Sequence, residues 1–542
     1  MAPKRRRVVN SLRSVTDRAP LRRRLLVASL VAGLLLAGAG VATAAWWPAP
    51  VSAEVRGVPT RVVGTEDLAG LELRVTPSEG VRARDVTVRL DGEPVGLTPD
   101  GGDLTVRPDG LADGRHDVVV TVADRGPFGT TSESRHRFTV DTTPPVLTVP
   151  DRLDAGSLRG GLTVTGGVEG AERVTVDGTA ADLTGDEFEV ALPTSPATVD
   201  VVATDAAGNT AARTVDVHVT HPGMRGVHMT ALAWTASSLR EPILRMARQG
   251  RIDTVQLDIK DEDGLVGYDT EVPLARRIGA ATGYYDAPKV IKALHALDVR
   301  VVGRIVAFRD PRLGRWAWRN GHRDWVIQTP GGGPYGGKYG AYSFTNPFSA
   351  DVRRYNIALA TEAAELGFDD VLYDYVRRPD GALGRLRFAG RKGTPERAIA
   401  GFMKETREAV RKRGAFLGAS VYGIAATRPT EIAQDIPAMA GSADYIAPMV
   451  YPSHWGPGEY GVRNPNRSPY PIVRRSLADF QRLVRGTDTQ IMPWLQDFSL
   501  GVTYGPAQVS AQIRAAKDAG IDSFLLWNAA ARYTRAALPP RS

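Results

Sequence analysis

Cysteine is absent from this 542-residue chain. That excludes disulfides, a thiolate zinc site and a cysteine nucleophile, so each domain must rely on its apolar core. Histidine is sparse too, with eight residues, no His-x-His pair and no dense cluster. This argues against the multi-histidine metal centre of an amidohydrolase or a deacetylase. The glycine-rich stretch Thr329-Pro-Gly-Gly-Gly-Pro-Tyr-Gly-Gly-Lys338 lacks the Gly-Lys-Ser/Thr ending of a phosphate loop. No glycine-rich dinucleotide fingerprint follows the first apolar strand of the C-terminal half, which disfavours a doubly wound open sheet. No cofactor is expected.

An excess of positive charge is also missing where nucleic acid would need it. The formal charge is +8, and nine basic residues against Asp17 within the first 24 positions account for all of it. Basic and acidic side chains balance from residue 25 onward, so no broad face is left to neutralise phosphates, and nucleic acid is not an expected partner. Residues 25–47 carry no charge. Some 23 residues rising about 1.5 Å each span a hydrocarbon core of roughly 30 Å. Residues 1–24 therefore read as a basic cytoplasmic tail and 25–47 as a single-pass transmembrane helix that places the rest outside the cytoplasm. The competing reading is a cleaved signal segment, since Ala42-Thr-Ala44 resembles a small-residue cleavage site. Either way the chain after residue 50 is exported, anchored in the first case and secreted in the second.

What is present falls into three textures. Residues 52–142 alternate apolar and polar with period two between Gly, Pro and Asp turns, as in His116-Asp-Val-Val-Val-Thr-Val122. Residues 146–220 repeat that plan and end in Asp205-Ala-Ala-Gly-Asn209. Both read as antiparallel sandwiches, and through this turn and the Thr142-Thr-Pro-Pro145 linker they resemble bacterial Ig-like modules, which serve as spacers. From residue 224 to 535 eight apolar strands are expected, over 225–230, 253–260, 300–308, 370–376, 416–422, 445–451, 490–498 and 523–528. Helical periodicity separates most of them, over 237–249, 287–297, 352–366, 395–413, 472–484 and 506–519, with loop-rich insertions at 311–347 and 379–393. Eight β-α units in this span predict a (β/α)8 TIM barrel. The fold class is thus multidomain: an N-terminal transmembrane helix, two all-β Ig-like sandwiches and an α/β barrel.

In such a barrel the site lies at the C-terminal strand ends. Those ends supply His228, Asp258 and Lys260, Arg304, Asp374 and Arg377, Tyr422, Tyr451 and His454, Trp494, Gln496 and Asp497, and Trp527 and Asn528. Acids, aromatic platforms and planar hydrogen-bonding groups suit a carbohydrate, whose C–H faces stack on Trp and Tyr while its hydroxyls take bidentate partners. Glycosidic cleavage needs two carboxyl groups. Asp374 is the first, pointing inward with Leu372 if Tyr373 and Tyr375 face the other way. Its bland alternative is a buried pair with Arg377 or Arg304. For the second, Asp497 leads, Asp258 follows, and Glu262 or Glu459 could reach in from loops. Asp258 would otherwise bridge to Lys260 or an arginine of the barrel floor. The acidic turn Asp261-Glu-Asp263 is a solvated loop before it is a cation site. His228 is either a cleft residue or a satisfied core histidine. Tyr335, Tyr339 and Tyr342 fit a lid over a saccharide or a plain surface loop.

The runs Gly226-Val-His-Met-Thr230, Leu257-Asp-Ile-Lys-Asp261, Leu372-Tyr-Asp-Tyr-Val-Arg377, Ala447-Pro-Met-Val-Tyr-Pro-Ser-His454, Pro493-Trp-Leu-Gln-Asp497 and Leu526-Trp-Asn528 resemble the bacterial glycoside hydrolase family first catalogued as a domain of unknown function. The resemblance covers about residues 224–530. It implies a TIM barrel of glycosidase type, often exported and anchored, with the strand-four acid, Asp374, as its most secure carry-over. The family's Phe-Asp-Tyr-Ile/Val-Arg-Phe-Pro pattern has Arg378 in place of an aromatic here. The expected function is extracytoplasmic hydrolysis of a cell-envelope or extracellular polysaccharide. Its rivals are a non-catalytic glycan-binding scaffold with a degenerate barrel and a metal-dependent hydrolase such as a deacetylase.

Overall fold

The computed structural model describes residues 51–124 and 129–540. The chain divides into two compact units between Thr143 and Pro144.

In the first unit two four-stranded sheets bury one shared core. One sheet orders Ala53–Arg56, Leu73–Pro77, Asp103–Val106 and Thr98–Asp100, and the other orders Glu93–Pro94, Val86–Leu90, Gly114–Ala123 and Thr131–Val140. Along Gly114–Ala123 the alternate residues His116, Val118, Val120 and Val122 are buried, while Asp117 is exposed and Val119 and Thr121 only half-buried. The period-two pattern thus becomes a sandwich, with Leu73 and Val75 of one sheet and Val88, Val120 and Phe138 of the other in a single apolar cluster.

The second unit joins another sandwich to the barrel. Its sheets have five strands, edged by Arg152–Ala155, and four strands, edged by Val146–Thr148, with Val164, Val176, Val190 and Val201 fully or almost fully buried between them. The Asp205 carboxylate accepts from the amides of Ala207 (2.9 Å) and Asn209 (2.8 Å), and Gly208 supplies the φ of +92° that this turn needs. The sequence reads this module as a spacer, yet it docks on the N-terminal end of the barrel strands. Leu158, Val219 and Phe416 form one apolar cluster across the junction. Arg159 donates to the carbonyls of Phe368 (2.7 Å) and Gly414 (3.1 Å), and buried His221 bonds Asp370 at 2.9 Å. Sandwich and barrel should therefore unfold together. Leu158→Ala is expected to cost about 2–5 kcal/mol and to shift the chemical-denaturation midpoint of the barrel's tryptophan signal; a shift confined to a separate early transition would refute the coupling.

All eight expected barrel strands are present, at Arg225–Met229, Thr254–Lys260, Arg300–Val306, Asp370–Asp374, Phe416–Tyr422, Tyr445–Met449, a seventh stave in two pieces (Gln490–Ile491 and Trp494–Gln496), and Phe524–Trp527. Every pairing is parallel, and the pairing of the first with the eighth closes the barrel. Inward residues such as Val302, Leu372, Tyr445, Met492 and Leu525 fill the interior, and outward residues such as Val255, Val301 and Tyr373 pack under helices. Long helices sit where the 3.6-residue periodicity puts them, at Ser237–Arg248, Ala287–His295, Ala350–Leu366, Pro395–Arg411, Pro469–Leu483 and Pro506–Lys517. Only the five-residue Ile436–Ala440 follows the fifth strand, and a 3-10 turn at Arg535–Ala537 stands where an eighth helix would be.

The transmembrane helix in the expected fold class is corrected. No helix among the described residues is long and apolar enough to cross a membrane. The longest, Ala350–Leu366 and Pro395–Arg411, have 17 residues each and carry charged faces, short of the roughly 20 apolar residues required. Residues 25–47, to which the sequence assigns the span, lie outside the described residues.

Candidate active site

A cavity of about 450 Å³ opens at the C-terminal ends of the barrel strands, and a single guanidinium organises its floor. Arg304, on the third strand, is 1% exposed. Its Nε and Nη2 donate to Asp374 Oδ2 at 3.0 and 2.7 Å, and its Nη1 donates to Asp258 Oδ1 at 3.1 Å. The same Nη2 also donates to Glu262 Oε1. Parallel pairing explains part of this convergence, because Arg304 lies in register with Asp258 on one side and Leu372 on the other. Burial disfavours the Arg304 cation, but Glu262, Asp258 and Asp374 together hold it firmly protonated.

The three carboxylates differ in setting. Asp258 is buried and does not line the cavity. Burial opposes its charge, yet Arg304 and then His228, whose Nε2 lies 3.2 Å from Oδ1, bring its carboxyl down to about 2. Asp374 does line the cavity, with a side chain 6% exposed, and its Oδ1 accepts the amide of Tyr375 at 2.6 Å. Glu262 lines it as well and is the most accessible, at 31%. Burial pushes the Glu262 carboxyl up, but Arg304 outweighs this and holds it below the usual range. Asp374 is thus both buried against an arginine and open to a groove, and its partner is Arg304 rather than Arg377.

Aromatic side chains form the walls. Trp494 and Trp527 meet edge to face at 5.5 Å, and His228 stacks on Trp527 at 4.0 Å. Trp494 is fixed by its Nε1, which donates to Ser420 Oγ at 2.9 Å. Tyr451 completes this side; burial, then the charge of Asp374, keeps its hydroxyl protonated. On the opposite side Tyr375 enters the cavity although simple alternation sends it outward with Tyr373. The strand ends at Asp374, and Tyr375 takes a left-handed φ of +47° that reverses its direction. Arg309 holds it there, donating to its hydroxyl at 3.1 Å.

The remaining expected residues sort by position. Tyr422 and His454 line the cavity. Arg377 sits behind the wall, donating to Tyr422 at 2.7 Å and Tyr339 at 3.0 Å, and so positions Tyr422. Lys260 is turned away. The register shifts between Asp258 and Lys260, and the ammonium goes outward to Asp310 (2.9 Å) and Asn356 (2.8 Å) beneath a helix. Asp497 also stays out of the cavity: both its oxygens serve Thr534, accepting from the amide at 2.7 Å and the hydroxyl at 2.6 Å. Gln496 accepts from the Ser453 amide at 3.0 Å and donates to the Phe498 carbonyl at 2.8 Å, and Asn528 donates to the carbonyls of Asp497 and Arg532. Both shape loops. Glu459 pairs with Arg428. Among the described residues no group of three or more His, Asp or Glu is placed to hold a metal ion. The glycine-rich loop carries Lys338 to the cavity rim, where it pairs with Asp380 at 2.5 Å, and Tyr339 packs against Phe344.

The sequence profile of the family described as "Putative glycosyl hydrolase domain" matches residues 226–533, more than half of the chain and nearly all of the barrel. The chain belongs to this family. No curated protein sequence matches it. Among solved structures, a hypothetical protein from Ruminiclostridium thermocellum is 28% identical over 36% of this chain and 96% of its own, with a TM-score of 0.32. The PgaB (BpsB) glycoside hydrolase domain from Bordetella bronchiseptica is 16% identical over 59% of this chain and 100% of its own, at 0.45. Catalytic domain 2 of the Ostrinia furnacalis Group II chitinase is 13% identical over 58% and 94%, at 0.35. Membership of the glycosyl hydrolase family makes the barrel a hydrolase-type domain and gives the carboxylates around Arg304 a chemical context.

Proposed function

We propose that the barrel hydrolyses O-glycosidic bonds of a cell-envelope or extracellular polysaccharide outside the cytoplasm, with Asp374 as nucleophile and Glu262 as acid and base. The observation that carries this reading is that two carboxylates reach one aromatic-walled cavity and share one nitrogen of Arg304. Two acceptors on a single nitrogen lie at most roughly 6 Å apart. Retaining glycosidases hold their carboxyls about 5–5.5 Å apart and inverting ones about 6.5–9.5 Å, so the spacing supports retention. Asp374, gripped by two guanidinium nitrogens and a backbone amide, is fixed in place as a nucleophile requires. Glu262 has one such grip and the greater exposure; a sugar that covers it excludes water and favours the protonated form that donates to the leaving oxygen. Export is supported by the basic N-terminal run before the uncharged stretch at 25–47.

The test is a screen of purified cell-wall and extracellular polysaccharides for released reducing ends, with an Asp374→Asn protein in parallel. Release by the native protein alone is expected, and equal release by both would refute the assignment. Proton NMR of the first product from the cleaved glycan is expected to report the same anomer as the substrate; the opposite anomer would remove Asp374 as nucleophile.

The non-catalytic glycan-binding reading also has one specific observation behind it, since Arg304 neutralises both carboxylates at once. It predicts that the full chain retains polysaccharides in affinity electrophoresis and releases no reducing ends from any of them.

A further inference from the structure

A second cavity, of about 780 Å³, adjoins the first on the same end of the barrel. The two have only Tyr422 and Ile424 in common among their lining residues. Its walls come from the loop after the fourth strand and from the short turns Gly423–Ala426 and Pro429–Glu431 after the fifth. We propose that the substrate cleft continues over the Tyr422–Ile424 ridge into this second cavity, so that the enzyme binds further sugar units of a polysaccharide chain beyond the bond it cleaves. This rests on the hydrolase reading above.

Three observations support the extension. The ridge is built rather than incidental: Arg377 stacks on Tyr422 at 4.3 Å and donates to its hydroxyl, which fixes the ring between the two cavities. The far walls are also tied together, by a buried residue. Arg378 donates to the carbonyls of Pro379 (2.8 Å) and Gly381 (2.7 Å) on one loop and of Thr430 (2.7 Å) on the other, and its own amide bonds the Ile432 carbonyl at 3.0 Å. Among the described residues Arg378, itself 3% exposed, donates from its guanidinium only to backbone. The Arg found where the family pattern has an aromatic therefore joins the loops after strands four and five into one trough. Finally, the lining combines Ala382, Leu383 and Ile432 with Thr394 and Glu396, that is, apolar surface for sugar C–H faces beside groups for hydroxyls.

Binding energy gathered away from the scissile bond can be spent at the reacting centre, so short substrates lose turnover as well as affinity. The probe is a size-fractionated partial hydrolysate of whichever polysaccharide the reducing-end screen identifies. For the native protein kcat/KM is expected to rise with fragment length by about tenfold or more, equivalent to about 1.4 kcal/mol. Ala382 is exposed on the rim of the second cavity, so Ala382→Trp should fill the trough without disturbing the core. This variant is expected to abolish the length dependence while cleaving the shortest reactive fragment at the native rate, and Ala382→Ser is expected to behave as native. A native profile flat with length, or an Ala382→Trp profile identical to native, overturns the extended cleft and leaves the hydrolase reading standing. A screen that yields no cleaved polysaccharide overturns both.

Discussion

Glu262→Gln is expected to lower kcat/KM on the polysaccharide by about 10²–10⁴-fold, the usual worth of general acid-base catalysis, and to spare kcat/KM on a substrate with an activated leaving group, where the lost base slows only the later hydrolysis of the glycosyl intermediate. The argument rests on the proton. A sugar alkoxide is a poor leaving group and needs protonation as the bond breaks, whereas a nitrophenolate leaves without it. The amide keeps the size of Glu262 and its contact with Arg304 but carries no transferable proton. Asp374→Asn removes the nucleophile instead and should abolish both reactions. Comparing the two variants on polysaccharide and on an aryl glycoside of the same sugar thus separates the roles. Equal losses of kcat/KM on both substrates for Glu262→Gln would contradict its role as acid. Both variants should fold, because Glu262 is partly exposed and Asn at 374 keeps the shape of Asp374 and one acceptor oxygen for Arg304, giving up only the acceptor of the Tyr375 amide.

The barrel was legible because its strands and helices are periodic. Leu372 and Asp374 face inward as period-two alternation requires, and the six long helices lie within a few residues of where the 3.6-residue pattern places them. The site was less legible wherever one residue breaks that regularity. A single register shift sends Lys260 outward while Asp258 stays in. A left-handed φ brings Tyr375 into the cavity that alternation denies it. Asp497 ends its strand as a catalytic acid would, but the chain after the eighth strand returns Thr534 to claim both its oxygens. Glu262 lies two residues past the end of the second strand, in an acidic turn that reads as solvated; its contact with Arg304 sets it apart, whereas Asp261 turns back to accept from the amides of Asp263 and Leu265. The docking of the second sandwich depends on Arg159 reaching Phe368, more than 200 positions away, and no local pattern records such a contact.

Replacing Arg304 should have the largest effect on stability. Arg304→Met keeps much of the volume but leaves Asp258 and Asp374 buried without their cation, which is expected to cost about 3–5 kcal/mol at neutral pH. The pH dependence makes the claim specific. In the native protein the Asp258 carboxyl titrates near 2, against an ordinary value of 3.8. A depressed folded value contributes stability above the unfolded pKa, and this is lost as pH falls toward 2; its size is about 2 kcal/mol, at roughly 1.36 kcal/mol per pH unit. Without Arg304, the burial that already opposes the charge of Asp258 is countered by His228 and by a long 3.3 Å hydrogen bond from neutral Gln256. Its folded pKa then moves above 3.8, its ionised form destabilises the fold at pH 7, and protonation on acidification restores part of the loss. Denaturation midpoints at pH 7 and pH 4.5 should therefore show the gap between native and Arg304→Met narrowing on acidification. A gap that is absent at pH 7, or that widens at pH 4.5, would mean that the three carboxylates do not depend on this guanidinium.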